Sequence, residues 1–282
     1  MTGLADSRTS DQGVPGGVPP DAIVRDIADA DSRRRLRFRA VFVATWVVVV
    51  GGFVLALVAA GSFDVPFLVE WAPFILGGVP LTVFIAVTSI LLALPFAVLG
   101  AIGRISVVAP IYALATLYVS VVRGTPLLVQ IIFMVLGLPR ILPWVNDIPL
   151  IALGIFALAF NYGAYLTEIF RAGIEAVPRG QREAGAALGM SERRIMWRIV
   201  LPQAIRIVTP AIGNEFIAMI KDSALVSVIS VQELLWRAQR VGNANFRGLE
   251  TLLLAAAMYW ILTSIFSLFQ ERLEQRMARS DR

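Results

Sequence analysis

The chain has 282 residues, 57% of them hydrophobic and 16% charged, with a formal charge of +5, no cysteine and no histidine. So apolar a composition excludes an ordinary soluble domain and points to an all-α polytopic membrane protein. The missing residue types exclude disulfides, thiolate metal sites and histidine general bases, and among the 25 basic residues Lys221 is the single lysine.

Residues 1–38 are rich in Gly, Pro, Asp, Ser and Arg, which reads as a disordered cytoplasmic tail ending in the basic run Arg33, Arg34, Arg35, Arg37 and Arg39. A signal peptide competes, because arginine precedes an apolar core. Ala40 to Ala60, however, is 21 uncharged residues, long enough to span, so residues 39–61 are read as a retained first transmembrane helix with its N-terminal side inside. Residues 61–76 contain Asp64 and Glu70 but no basic residue, and Trp71 and Pro73 suit an interfacial outer turn. The second span runs from about Gly77 to Ile102 and ends at Arg104, with a kink expected at Pro95.

Residues 107–138 would make about 48 Å of helix, too long for one upright span and short for two. Arg123-Gly124-Thr125-Pro126 interrupts the run, with Thr125 and Pro126 suited to restart a helix as cap and first residue. Two crossings would place the arginine-rich 171–206 segment outside, against the positive-inside rule, so one tilted, kinked crossing is predicted. An outer loop then covers Pro139 to Asp147, a fourth span Ile148 to Ile169, and a fifth span Ile207 to Val231. A polar outer loop occupies 232–249, the sixth span is Leu252 to Phe269, and 271–282 forms a cytoplasmic tail. This layout of about six spans, both termini cytoplasmic, puts 19 of the 25 basic residues inside.

Within the inner segment, Glu183 to Pro202 reads EAGAALGMSERRIMWRIVLP. Pro178 suits the first turn of one short helix, and Gly189 fits the left-handed position after its end. Ser191 can cap a second helix with Glu192 in its first turn, Ile195 and Ile199 sharing a face, and Leu201-Pro202 breaking or kinking the chain. A helix-turn-helix projecting from a membrane protein is a docking element in form.

Polar residues recur inside the apolar runs, where a central charge costs about 2.5–3.5 kcal/mol on insertion scales. Asn161, Tyr165 and Glu168 fall on one helical face, and Asn214 and Glu215 precede Lys221 and Asp222, with Glu215 and Asp222 sharing a face. One reading is a hydrophilic path between helices. The other is structural: Asn161 bonded to a neighbouring helix, Lys221 paired with a carboxylate, Glu168 reaching to the cytosolic surface. Arg123 is equally a pin for the Gly-Thr-Pro break or a substrate contact.

Glu183, Ala184, Gly189, Ile199, Leu201 and Pro202 resemble the EAA motif of ABC importer permeases, with Gly185 standing where the motif usually has a second alanine. RGTPLLVQ at 123–130, NYGAYLTEI at 161–169, and GNEFI at 213–217 with KDSAL at 221–225 resemble the signatures of permeases for polar amino acids. The resemblance covers about 77–270, the permease core. It departs at Glu215, where glutamine is expected, and in the additional first span. It implies the type I permease fold of ABC importers and a bacterial inner or plasma membrane location. The implied function is a subunit that translocates polar or charged amino acids delivered by an external binding protein.

The implied partners are two ATPase subunits and a second permease chain, identical or paralogous. Residues 171–206 would be the coupling loop, acting through Glu183, Ala184, Gly185, Gly189, Ile199, Leu201 and Pro202. The substrate path would draw on Asn161, Glu168, Asn214, Glu215, Lys221 and Asp222. Independently, the only lysine lies between Ile220 and Asp222, so the chain contains no Gly-Lys-Ser/Thr phosphate loop. It is therefore expected to carry no cofactor and no enzyme activity, with ATP and magnesium held by a separate ATPase. A secondary transporter would also hold intramembrane carboxylates but has no use for the docking loop. An intramembrane enzyme, with no His or Cys, would have to pair Ser with Lys221, and no motif supports it.

Overall fold

Long apolar runs without interior charges become helices, because a segment in lipid must satisfy its own backbone hydrogen bonds. The computed structural model of the protein describes residues 20–59 and 64–279. The chain divides into two units, Met1–Phe63 and Asp64–Arg282.

In the first unit a single helix, α1 (Pro20–Ala59), runs for 40 residues. Composition alone assigns 1–38 to a disordered tail; residues 1–19 lie outside the described residues, but from Pro20 the chain is helical and continues without a break into the apolar span. Phe42, Trp46 and Phe53 are exposed, as expected of a helix surrounded by acyl chains.

The second unit begins with α2 (Val65–Leu76) and α3 (Val79–Arg104), where a surface turn is predicted for 61–76. The Asp64 side chain caps α2 by accepting from the Phe67 N–H at 3.1 Å, and Pro66 sits in the first turn. Residues 61–63 lie outside the described residues. α3 stays helical through Pro95.

The segment 107–138 is no tilted single rod. α4 (Ala109–Gly124) is 16 residues long, and the arm that follows turns by 105°. That arm consists of α5 (Leu127–Ile132), a π turn (Phe133–Gly137) and α6 (Leu138–Ile141). Pro126 forces the break by driving Thr125 into extended backbone, φ −119° and ψ 145°. The helix restarts at Leu127, with Pro126 rather than Thr125 in the capping position. The Gln130 amide closes the corner, donating to the carbonyls of Val122 (2.8 Å) and Thr125 (3.2 Å). Among the described residues, five helices are long and apolar enough to cross a membrane, six when this bent pair counts as one span.

The predicted loop at 139–147 contains α6 and a short 3-10 turn (Pro143–Asp147). α7 (Leu150–Ala176) packs along α3 at the centre of the unit, with Ile85, Ala93, Ala97, Leu158 and Leu166 buried between them. At Gly100 a methyl group would strike the Thr167 side chain, so the missing Cβ lets the two helices approach closely there.

The hairpin follows as α8 (Arg179–Ala187), α9 (Glu192–Ile195) and a π turn (Met196–Val200), leading into α10 (Leu201–Asp222). Leu201-Pro202 does not break the chain. The wide turn falls immediately before Pro202, where a regular α turn would press a carbonyl against the proline ring, and the helix continues.

A 3-10 stretch (Ser223–Ile229) ends this rod. The polar segment after it forms α11 (Leu234–Asn245), where a loop is predicted. Glu233 caps α11 by accepting from Trp236 N–H at 2.8 Å, and Leu234, Ala238 and Val241 pack on Ile75 of α2 and Ala255 of α12 (Gly248–Arg279). α12 carries on past 270, so the predicted tail is helical as far as Arg279 and lies outside the described residues beyond it.

Candidate functional site: a polar cleft and a projecting hairpin

Two features stand out along α7 and α10, a polar cleft partway along and a hairpin at one end. The cleft, of about 530 Å³, is walled by Arg123, Thr125, Pro126, Asn161, Tyr162, Tyr165, Glu215 and Asp222. Three elements supply these groups. The broken turn after α4 exposes Arg123 and the Gly-Thr-Pro corner, α7 contributes three side chains at helical spacing, and α10 contributes the two carboxylates seven residues apart.

Inside the cleft, Tyr162 donates its hydroxyl hydrogen to Asp222 Oδ2 at 2.8 Å. The Arg123 guanidinium lies over the Tyr165 ring, 5.0 Å from its centre, a cation–π contact that holds the charge at the cleft wall. Asn161 is 4% exposed and donates to Gln130 Oε1 at 3.1 Å. Its amide therefore ties α7 to the broken turn and also faces the cleft. Two acids and one guanidinium leave the wall with one excess negative charge.

Of the predicted path residues, the structure brings Asn161, Glu215 and Asp222 together and leaves three aside. Glu168, one turn beyond Tyr165, turns away from the cleft to Arg104 Nε (3.0 Å) and Arg171 (2.8 Å). Asn214 points to α12, accepting from Gln270 Nε2 at 3.0 Å. Lys221 is exposed, lines no part of the cleft, and has no ion pair among the described residues. Adjacent residues on a helix are about 100° apart, so Asn214 and Lys221 cannot share the direction of Glu215 and Asp222. Arg123 and Tyr162 are the additions. Arg123 lies in a turn, where helical periodicity gives no direction, while the spacing of Asn161 and Tyr165 marks the face beside Tyr162.

At the other feature, the turn of the hairpin is a Schellman motif. Gly189 N–H bonds the Ala186 carbonyl (2.9 Å), Met190 N–H bonds that of Gly185 (3.1 Å), and Gly189 has φ +74°. Ser191 occupies the predicted cap position, with extended backbone but no side-chain cap bond. Gly185 explains itself by contact: a Cβ there would sit 2.9 Å from Ile199 and 3.0 Å from Ile195. The hairpin rests on a small core of Val177, Ile195, Val200 and Ala204. Gly185 and Ile199 thus face inward and shape the hairpin, whereas Glu183, Ala184 and Leu188, the last 82% exposed, face outward.

Known proteins match the stretch of chain that carries both features. The family described as binding-protein-dependent transport system inner membrane component matches residues 93–279, which hold cleft and hairpin alike. The arginine transport system permease protein ArtQ of Bacillus subtilis is 37% identical over 209 residues, 74% of this chain and 94% of that one. The glutamine transport system permease protein GlnP of Escherichia coli K12 is 34% identical over 205 residues, 73% of this chain and 93% of its own. A crystal structure of an amino acid ABC transporter with histidines superposes with a TM-score of 0.71 at 37% identity, over 76% of this chain and 98% of that one. The MetNI methionine ABC transporter in an inward-facing conformation, 18% identical with a TM-score of 0.58, shares the fold over 76% of this chain and 99% of that one.

Proposed function

Because this chain belongs to the family of binding-protein-dependent transport system inner membrane components, we propose that its cleft is the intramembrane resting place of a polar amino acid during ATP-driven import. The observation that carries the reading is the presence of Arg123, Glu215 and Asp222 around one cleft. A guanidinium suits the α-carboxylate of an amino acid, and a carboxylate suits its α-ammonium. The remaining negative charge is balanced by a positively charged side chain, so arginine or lysine fits the cleft better than glutamate. The relatives named for arginine and glutamine transport support an amino-acid substrate.

On this reading α8 and α9 dock on one of two ATPase subunits, which carry ATP and magnesium and hydrolyse the nucleotide. A second permease chain, identical or paralogous, completes the pore, and an external binding protein delivers the substrate at the opposite end. Both termini and the hairpin are cytoplasmic. The family match gives no support to an ion-coupled secondary transporter.

The test is competition uptake into proteoliposomes holding the permease, its ATPase and the binding protein. Glu215→Gln should lower the preference for arginine over glutamine by about tenfold, the weight of one charge-assisted contact. An unchanged preference in that variant would overturn the assignment of the cleft.

A further inference from the structure

Glu168 lies outside the cleft, yet it occupies the point where three helices meet. Its Oε1 accepts from Arg104 Nε (3.0 Å), and its Oε2 accepts from Arg171 Nε (3.0 Å) and Nη2 (2.8 Å). Arg104 is the last residue of α3, and it also donates to Thr116 of α4 at 2.7 Å, with its guanidinium 5.2 Å from the centre of the Tyr112 ring. One carboxylate therefore ties α7 to α3 and, through Arg104, to α4. The side chains of Arg104 and Glu168 are each 18% exposed, too little water to replace a lost partner.

Position along α7 gives this cluster its meaning. One turn towards the cleft stands Tyr165, under Arg123 at the far end of α4. One turn the other way, Arg171 bonds Glu175 at 2.6 Å, and the Ile174 carbonyl accepts from Arg182 of α8 at 2.7 Å. Along α7, side-chain contacts to other elements thus recur from the cleft wall at Tyr165, through Glu168, to the Ile174 carbonyl that meets the first helix of the hairpin. Next to the cluster, the Thr167 side chain of α7 fills the space where a Cβ of Gly100 on α3 would stand, so the two helices pack closely there.

We propose that Glu168 is a positioning residue for transport. It fixes the last turns of α7 to α3 and α4, so that displacement of the hairpin moves the cleft wall instead of bending the helix end. The proposal rests on the hairpin being the ATPase contact but not on which substrate fills the cleft. It differs from a purely anchoring role, in which the four charges only pin the helix ends at the membrane surface.

The experiment measures amino acid imported per ATP hydrolysed by purified, assembled complexes in proteoliposomes with the binding protein, so that changes in yield do not enter the ratio. Glu168→Gln and Arg104→Gln should each lower that ratio about tenfold, within the range of known coupling mutations, while ATP hydrolysis without substrate stays at the wild-type rate. Arg104→Gln combined with Glu168→Gln should be no worse than either alone, because both remove the same link. Glu168→Asp, which keeps the charge but shortens its reach, should fall in between and serves if the glutamine variant assembles poorly. Substrate preference should be unchanged in all of them, whereas Glu215→Gln should shift it, so the two assignments fail separately. Wild-type import per ATP in Glu168→Gln or, where that variant does not assemble, in Glu168→Asp overturns the proposal.

Discussion

Tyr162 of α7 and Asp222 of α10 are joined across the cleft by a 2.8 Å hydrogen bond, the one direct side-chain link between these two helices among the described cleft residues. It orients a carboxylate that would otherwise rotate freely or need a cation. Removing the donor leaves Asp222 in place with one fewer partner. Tyr162→Phe should therefore lower uptake efficiency about tenfold, in line with a hydrogen bond to a charged group. Uptake kinetics over a range of substrate concentrations check this; unaltered kinetics would separate the bond from the cleft's work.

At the hairpin, Gly189 holds φ +74° with nothing within 4 Å of where a methyl group would stand, so backbone conformation alone restricts the position. Gly189→Val should cost about 1–2 kcal/mol of local stability and weaken ATPase binding, whereas Gly189→Asn should be tolerated. Gly185 is limited by space instead, and Gly185→Leu should push α8 away from Ile195 and Ile199. Co-purification of the ATPase with each variant reads both effects, and membrane insertion should be normal in all three.

Orientation is open to direct labelling, because the chain has no cysteine of its own. A cysteine in place of Asn243, exposed on α11, should react with an impermeant thiol reagent from outside. One in place of Ser191 should react only after permeabilisation. Ser62, the position that the sequence suggests for an outside probe, lies outside the described residues. Labelling at 191 from outside would reverse the arrangement of the whole bundle.

Glu233 offers a pH prediction. Its carboxyl is 0% exposed, and burial raises its pKa above the ordinary carboxylate range, opposed by hydrogen bonds from Tyr259, Thr82 and the N–H groups of Leu235 and Trp236. A raised carboxyl pKa means the folded state holds its proton more tightly than the unfolded chain. That contribution to stability is complete below the unfolded value and is lost as pH rises through the folded one. Thermal unfolding in detergent should show a higher midpoint in mild acid than at neutral pH, and Glu233→Gln should flatten this dependence. Equal slopes in the two proteins would mean the proton resides elsewhere.

What is legible in the sequence is what short-range chemistry decides. The hairpin can be read because Gly189, Ser191 and the small residue at 185 act within a few positions of one another. Glu215 and Asp222 can be paired because seven residues return to the same side of a helix. Glu168 cannot be placed, since its partner Arg104 is distant in sequence and periodicity says nothing about which neighbour a face meets. The helices at 65–76 and 234–245 are hidden by the turn-forming and polar residues within them, although Leu234, Ala238 and Val241 carry the helical spacing. Proline chemistry locates the bend at Thr125-Pro126, but its size depends on how Gln130 closes the corner.

The wide turn ahead of Pro202 has a mechanical consequence. Since it lets the chain pass from the hairpin into α10 without a joint, Glu192 to Asp222 is one continuous rod with Ile195 at its hairpin end and Glu215 partway along. Those two residues are separated by about 30 Å at the helical rise. A tilt of about 10° at the hairpin end therefore sweeps the carboxylate through about 5 Å. Movements of a few degrees at the membrane surface become ångströms at the cleft, and the gain is set by how many residues separate the two stations on the rod.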